Sequence, residues 1–215
     1  MKVKICGITS AADARVAVQA GADALGFIFV EGTPRYIAPA AAAAIVRGLP
    51  PFVTPVGVFL DHAAGHVKAV AEECRLGALQ FHGDEALEAL AGFALPVIKA
   101  IKLPPASTLE GMPRDRVQGH VDVLRYRAVV SAVLLDSAAR WSEGEAREPV
   151  EWRLAATIAS ACRDRLRPQV ILSGGLSDNY ESARGVPRCR LVFLFLLRSF
   201  LLGCHEVSSV NDFPL

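Results

Sequence analysis

Lys4-Ile5-Cys6-Gly7-Ile8-Thr9 is the stretch on which the reading of this chain turns. A short apolar run, 3–5, delivers a cysteine. Glycine follows at once, and a threonine precedes the alanine-rich run 11–20. The pattern predicts a strand, a tight turn and a helix N-terminus, with the thiol at the carboxyl end of the strand. In parallel α/β folds that end is where ligands bind. Taken alone, Cys6 reads first as an inert core thiol, because free cysteine is among the most buried residue types.

Working outward, apolar runs alternate with helix-like segments. Strands are expected at 3–6, 24–29, 54–59, 78–81, 96–101, 132–135 and 169–172. Most are apolar nearly throughout, as for parallel strands covered on both faces. Helices are expected at 11–20, 39–46, 63–74, 85–91 and 150–165, with a broken one within 107–126. Repeated strand–helix units predict a parallel sheet with right-handed crossovers. Seven units are visible. An eighth closes a (β/α)8 TIM barrel, for which 215 residues is near the lower size limit. No linker divides the chain, so residues 1–215 read as one domain.

The bulk numbers exclude several classes. The chain is 52% hydrophobic with a formal net charge of +1, so nothing points to nucleic acid or an anionic membrane. Its 5 cysteines are scattered and lack CxxC spacing, which argues against a disulfide framework or a zinc site. No apolar signal core follows Met1-Lys2, and a reduced, cytoplasmic protein is expected. The most apolar segment, 191–202, is interrupted by Arg198 and is shorter than the ~20 residues needed to span a bilayer.

Candidate site residues sit where expected strands end. Arg35, between Pro34 and Tyr36, suits planar carboxylate recognition or is a solvated arginine. His62 and His66 are four apart, but no third ligand is near; an exposed helix face is the better reading, with Asp61 as N-cap. Gln80 and His82 close the fourth strand, and His82 either meets substrate or bonds the loop backbone. Lys99 is a charge in an apolar strand. It is expected to point into the barrel and to pair with Asp136, because an unpaired buried charge is costly. Asp136 ends the sixth strand, a catalytic placement or a loop cap. The charged loop 138–149 that follows is a candidate lid. Ser173-Gly174-Gly175 ends the seventh strand, and bare glycine amides there form a phosphate seat.

Together these pieces resemble the phosphoribosylanthranilate isomerase family of tryptophan biosynthesis. They are Lys4–Thr9, Gly21–Phe29, Pro34-Arg35-Tyr36, Val56-Gly57-Val58-Phe59, Gln80-Phe81-His82-Gly83, Val97-Ile98-Lys99-Ala100, Leu134-Leu135-Asp136 and Leu172-Ser173-Gly174-Gly175-Leu176, in the family's order. The resemblance implies a cofactor-free Amadori rearrangement of a phosphosugar–anthranilate substrate, in a monomer or homodimer. It implies Asp136 as general acid opening the furanose and Cys6 as general base at C2′. It also implies Arg35 on the anthranilate carboxylate and backbone amides at Gly174 and Gly175 on the phosphate. Lys4, Gln80 and His82 join the substrate side of the site, and Lys4 or Lys99 is the cation expected to favour the thiolate. The alternatives are an impaired barrel that only binds a phosphosugar or a partner, and another phosphosugar isomerase.

Two stretches depart from the family's pattern. The loop 140–152 lacks its glycine run and retains Trp152. Beyond Asn179, the segment 180–190 is broken by Gly185 and Pro187, and Leu191 opens an apolar run without a helical stripe. The end echoes an eighth strand but lacks its glycine. Residues 180–215 therefore read either as a shifted frame or unrelated tail, or as a divergent eighth unit whose strand is 191–196.

Overall fold

The computed structural model describes residues 2–103, 123–126, 128–137, 169–173 and 191–195. Eight parallel strands form a closed barrel in sequence order: β1 (Lys2–Cys6), β2 (Ala24–Ile28), β3 (Thr54–Phe59), β4 (Ala78–Phe81), β5 (Val97–Leu103), β6 (Ala132–Ser137), β7 (Gln169–Ser173) and β8 (Leu191–Phe195). The described helices are α1 (Ala11–Gln19), α2 (Pro39–Val46), α3 (Ala64–Glu73) and α4 (Leu87–Leu90), with a 3-10 turn at Val123–Tyr126. The expected helix at 150–165 and the candidate lid at 138–149 lie outside the described residues.

The eighth strand is the apolar run of the atypical tail. β8 pairs with β1 from Lys2↔Leu191 to Cys6↔Phe195, and with β7 from Ile171↔Leu191 to Ser173↔Phe193. Over this strand the chain follows the divergent-unit alternative. Closure leaves no free sheet edge in the barrel.

Strand alternation divides the core into two layers. Leu25, Phe27, Phe59, Leu79, Val133 and Leu172 face outward, against Ala14, Ala17, Ala42, Ala43, Val67 and Val70 of the helices. The alanines let the helices approach the strands closely. Phe29, Phe59, Phe81 and Phe93 run along this layer with successive ring centroids 5.4, 6.1 and 5.2 Å apart, contacts worth about 0.5–1.5 kcal/mol each beyond burial. The barrel interior holds Cys6, Val56, Val58, Ile98, Ala100, Leu134 and Ile171.

Local signals set the element ends. Ser10 caps α1, its Oγ accepting from Asp13 N at 3.1 Å. Pro39 occupies the first turn of α2, where its missing N–H costs nothing. Asp61 is not the cap expected for α3. That helix begins at Ala64 with Ala63 as N-cap and no side-chain cap bond. Asp61 instead turns the chain at φ 52°, and its Oδ1 accepts from Asp84 N at 2.8 Å.

Candidate active site

β1 carries Lys4 and Cys6 on its interior face, and both are buried. Directly opposite Cys6 in register lies Gly26. A Cβ at position 26 would stand 2.5 Å from Cys6 Sγ and 2.8 Å from Lys4 Nζ. The glycine is thus what gives thiol and amine a shared space. Burial pushes the Lys4 ammonium below its ordinary value. Charge and a hydrogen bond from Cys6 oppose that shift, and the Arg35 guanidinium adds to it. Of the two lysines that the sequence offered as neighbours of the thiol, Lys4 is the one that lies beside it.

At the strand's end Gly7 turns with φ 87°, and its N–H and that of Ile8 both donate to Gly26 O, at 2.9 and 3.0 Å. The Arg35 side chain lies over Gly7 where a Cβ would be, and its Nη1 donates to Cys6 O at 3.2 Å. Arg35 is therefore packed onto the thiol's own turn.

From Lys4 a chain of polar contacts crosses the interior. Lys4 Nζ donates to Gln80 Oε1 at 3.1 Å. Gln80 Nε2 lies 3.3 Å from His82 Nδ1, and His82 Nε2 lies 3.2 Å from Asp136 Oδ2. Gln80 and His82 share a face because they are two apart on an extended segment, as are Leu134 and Asp136. Cys6 and Asp136 thus open onto the same interior at the carboxyl ends of β1 and β6. Asp136 Oδ1 and Ser173 Oγ are buried without a hydrogen-bond partner among the described residues, and the two residues are in register on adjacent strands. Buried polar groups are ordinarily satisfied, which singles out these two atoms at the carboxyl ends of β6 and β7.

Lys99 does not pair with Asp136. Its neighbours Ile98 and Ala100 face the interior, so Lys99 faces outward. It meets Glu85 Oε2 at 2.7 Å, with both side chains buried, and also donates to Gly83 O. Glu85 Oε1 accepts from Asp61 N and Gly83 N, at 3.0 Å each. Burial raises the Glu85 carboxyl, but Lys99 and the backbone N–H groups of Asp61 and of Glu85 itself outweigh it and hold the group below the ordinary carboxylate range. The pair clamps the loop after His82, whose N–H donates to Phe59 O at 2.9 Å. Use of Glu85 in the clamp explains why the helix expected at 85–91 is only Leu87–Leu90.

Sequence reasoning missed Gly26, Ser173 and Glu85. Register opposite Cys6 and Asp136 would have found the first two. The need of Lys99 for a counter-charge would have found the third. His62 and His66 stack at 5.0 Å, and no group of three potential metal ligands occurs among the described residues. Gly174 and Gly175 lie outside the described residues, so the expected phosphate seat has no geometry here.

Comparison with known proteins meets this geometry. Residues 3–192 match the family profile of N-(5'phosphoribosyl)anthranilate (PRA) isomerase. The N-(5'-phosphoribosyl)anthranilate isomerase of Pelobacter propionicus is 40% identical over 184 residues, 85% of this chain and 79% of that protein. The crystal structure of phosphoribosyl anthranilate isomerase from Thermotoga maritima superposes with a TM-score of 0.73 at 35% identity, covering 91% of this chain and 87% of that one. A phosphoribosyl anthranilate isomerase in complex with reduced 1-(o-carboxyphenylamino)-1-deoxyribulose 5-phosphate superposes at 0.70, again at 35% identity, with coverage of 91% and 87%. The matched span includes all seven strands read from the sequence and reaches the start of β8. By profile, by sequence and by fold, the chain belongs to the N-(5'-phosphoribosyl)anthranilate isomerase family.

Proposed function

We propose that this chain isomerises N-(5'-phosphoribosyl)anthranilate to 1-(2-carboxyphenylamino)-1-deoxyribulose 5-phosphate, with Cys6 as base and Asp136 as acid. The observation that carries the assignment is the shared interior rim. A thiol beside a buried lysine and a carboxyl group with one oxygen unpartnered among the described residues face the same space.

The chemistry asks for such a pair. Asp136 delivers its proton to the furanose ring oxygen as the C1′–O bond breaks, and the anthranilate nitrogen lone pair forms the C1′=N bond. The Cys6 thiolate takes the C2′ proton, and the electrons of that C–H bond give the enol-amine. Proton loss from the 2′ hydroxyl and protonation at C1′ yield the ketose. Lys4 stabilises the thiolate by charge. Arg35 makes two parallel hydrogen bonds to the anthranilate carboxylate, and backbone amides at Gly174 and Gly175 take the phosphate.

The test is a continuous assay following loss of the substrate's anthranilate fluorescence. Cys6→Ser and Asp136→Asn should each lower turnover by about 10²–10⁴-fold, the usual share of general acid–base catalysis, with melting temperatures near wild type. A wild-type chain that binds a reduced product analogue but never turns over would leave only the binding-barrel alternative.

A further inference from the structure

The interior polar chain has a direction, and the direction has a consequence. As an ammonium, Lys4 Nζ has donors and no acceptor. It therefore requires the oxygen of the Gln80 amide, Oε1, at 3.1 Å. That leaves the amide's Nε2, a donor only, facing His82 Nδ1 at 3.3 Å. A neutral imidazole that accepts at Nδ1 carries its hydrogen on Nε2. His82 Nε2 then donates to Asp136 Oδ2 at 3.2 Å. With Oδ2 occupied as an acceptor, the remaining oxygen, Oδ1, is the buried atom without a partner among the described residues.

We propose that Gln80 is a positioning residue. Anchored by Lys4, its amide holds His82 in the Nε2–H tautomer, so that His82 occupies Asp136 Oδ2 and the acid's proton rides on Oδ1, free to be transferred. The inference rests on the assignment of Asp136 as the acid.

The reversed chain shows what is at stake. Turning the Gln80 amide over sets its N–H groups against the Lys4 ammonium, donor against donor. It also sets Oε1 against His82 Nδ1, which must then carry the hydrogen. His82 Nε2 becomes an acceptor facing Asp136 Oδ2, and that contact survives only if Oδ2 keeps the proton. The acid's proton is then tied to the imidazole instead of being offered to substrate. Both polarities satisfy His82 and Asp136, and the Lys4 charge selects the productive one. The backbone that carries the His82 ring is fixed. The main-chain N–H of His82 donates to Phe59 O, and the next residue, Gly83, is gripped through its main-chain N–H by Glu85 and through its carbonyl by Lys99.

Long-range proton–nitrogen spectra of the ¹⁵N-labelled full chain read the tautomer directly, at about pH 8, above the ordinary histidine range near 6.5. The His82 signals are assigned by their loss in His82→Asn. In wild type, Nδ1 should be pyridine-like and Nε2 pyrrole-like. In Gln80→Glu both side-chain oxygens can only accept, so Nδ1 should become pyrrole-like. In that variant kcat should fall about 10–100-fold, the scale on which orienting partners act, with KM little changed. A wild-type ring protonated on Nδ1, or on both nitrogens, overturns the proposal. So does a Gln80→Glu variant that switches tautomer yet keeps wild-type kcat. The wild-type spectrum decides even if the variant fails to fold. A wild-type chain with the expected tautomer and no isomerase activity would instead sink the assigned reaction and leave the hydrogen-bond polarity standing.

Discussion

Replacing Gly26 with alanine adds one methyl group at the most crowded point of the interior. The new Cβ would stand 2.5 Å from Cys6 Sγ and 2.8 Å from Lys4 Nζ. Ordinary contacts between such atoms are about 3.5–4.0 Å, so the sulfur or the strand must move by about 1 Å. Lys4 can bend its long stem. Cys6 cannot, because its sulfur is one bond from Cβ and must change rotamer or carry β1 with it. A misplacement of about 1 Å at a reacting group costs about 10²-fold in rate, and that is the loss of kcat expected for Gly26→Ala. Overpacking costs about 1–3 kcal/mol, offset by about 0.5–1 kcal/mol because alanine is the better strand residue. The protein should therefore still fold, with a modestly lower unfolding midpoint. The fluorescence assay gives kcat, and a thermal melt gives stability. Gly65→Ala is the control: nothing lies within 4 Å of its Cβ position in α3. It should stabilise by up to about 1 kcal/mol and leave kcat alone. Wild-type kcat in Gly26→Ala would refute the claim that the thiol's position depends on the missing methyl.

Three other perturbations follow from the same geometry. Arg35→Ala should weaken inhibition by a carboxylated product analogue about 10- to 100-fold, the loss of a charged hydrogen bond of about 1.5–3 kcal/mol; unchanged inhibition would take Arg35 out of the site. Lys99→Met strands the buried Glu85 carboxylate and should cost about 3–5 kcal/mol in urea unfolding, against little change if the pair is dispensable. Glu85 is held below its unfolded value of 4.5, so its contribution is present above that value and is lost as pH falls through the lower folded one. Glu85→Gln should accordingly flatten the acid limb of the stability profile, and an unaltered limb would assign that sensitivity to other carboxylates.

Much of this architecture was legible because parallel barrel strands are apolar on both faces. The strands at 54–59 and 78–81 coincide with the runs read from the sequence. β5 runs on to Leu103, past the expected end at 101, because Lys102 ends the apolar run without ending the strand. The misplacement of Lys99 was a matter of parity. Side chains alternate along a strand, so a residue between Ile98 and Ala100 cannot share their side. The same alternation puts His82 with Gln80 and Asp136 with Leu134. The true partner of Lys99, Glu85, lies in a loop with no periodic signal, and only the cost of a buried charge pointed toward it. The thiol and the carboxyl group were legible from their places at strand ends. The chain of contacts joining their surroundings was not, because it depends on which strands face one another across the interior.

The pairing of β1 with β8 has a consequence in time. Of the eight strands, the one that bears the thiol leaves the ribosome first, and one of its two hydrogen-bonded neighbours emerges after nearly two hundred further residues. At about 5–20 residues per second, that wait is about 10–40 s. Until then β1 has β2 alone beside it, and the nascent chain carries an unsealed seam. Contacts this distant in sequence make for slow folding, so the first-made part of the active site is completed last.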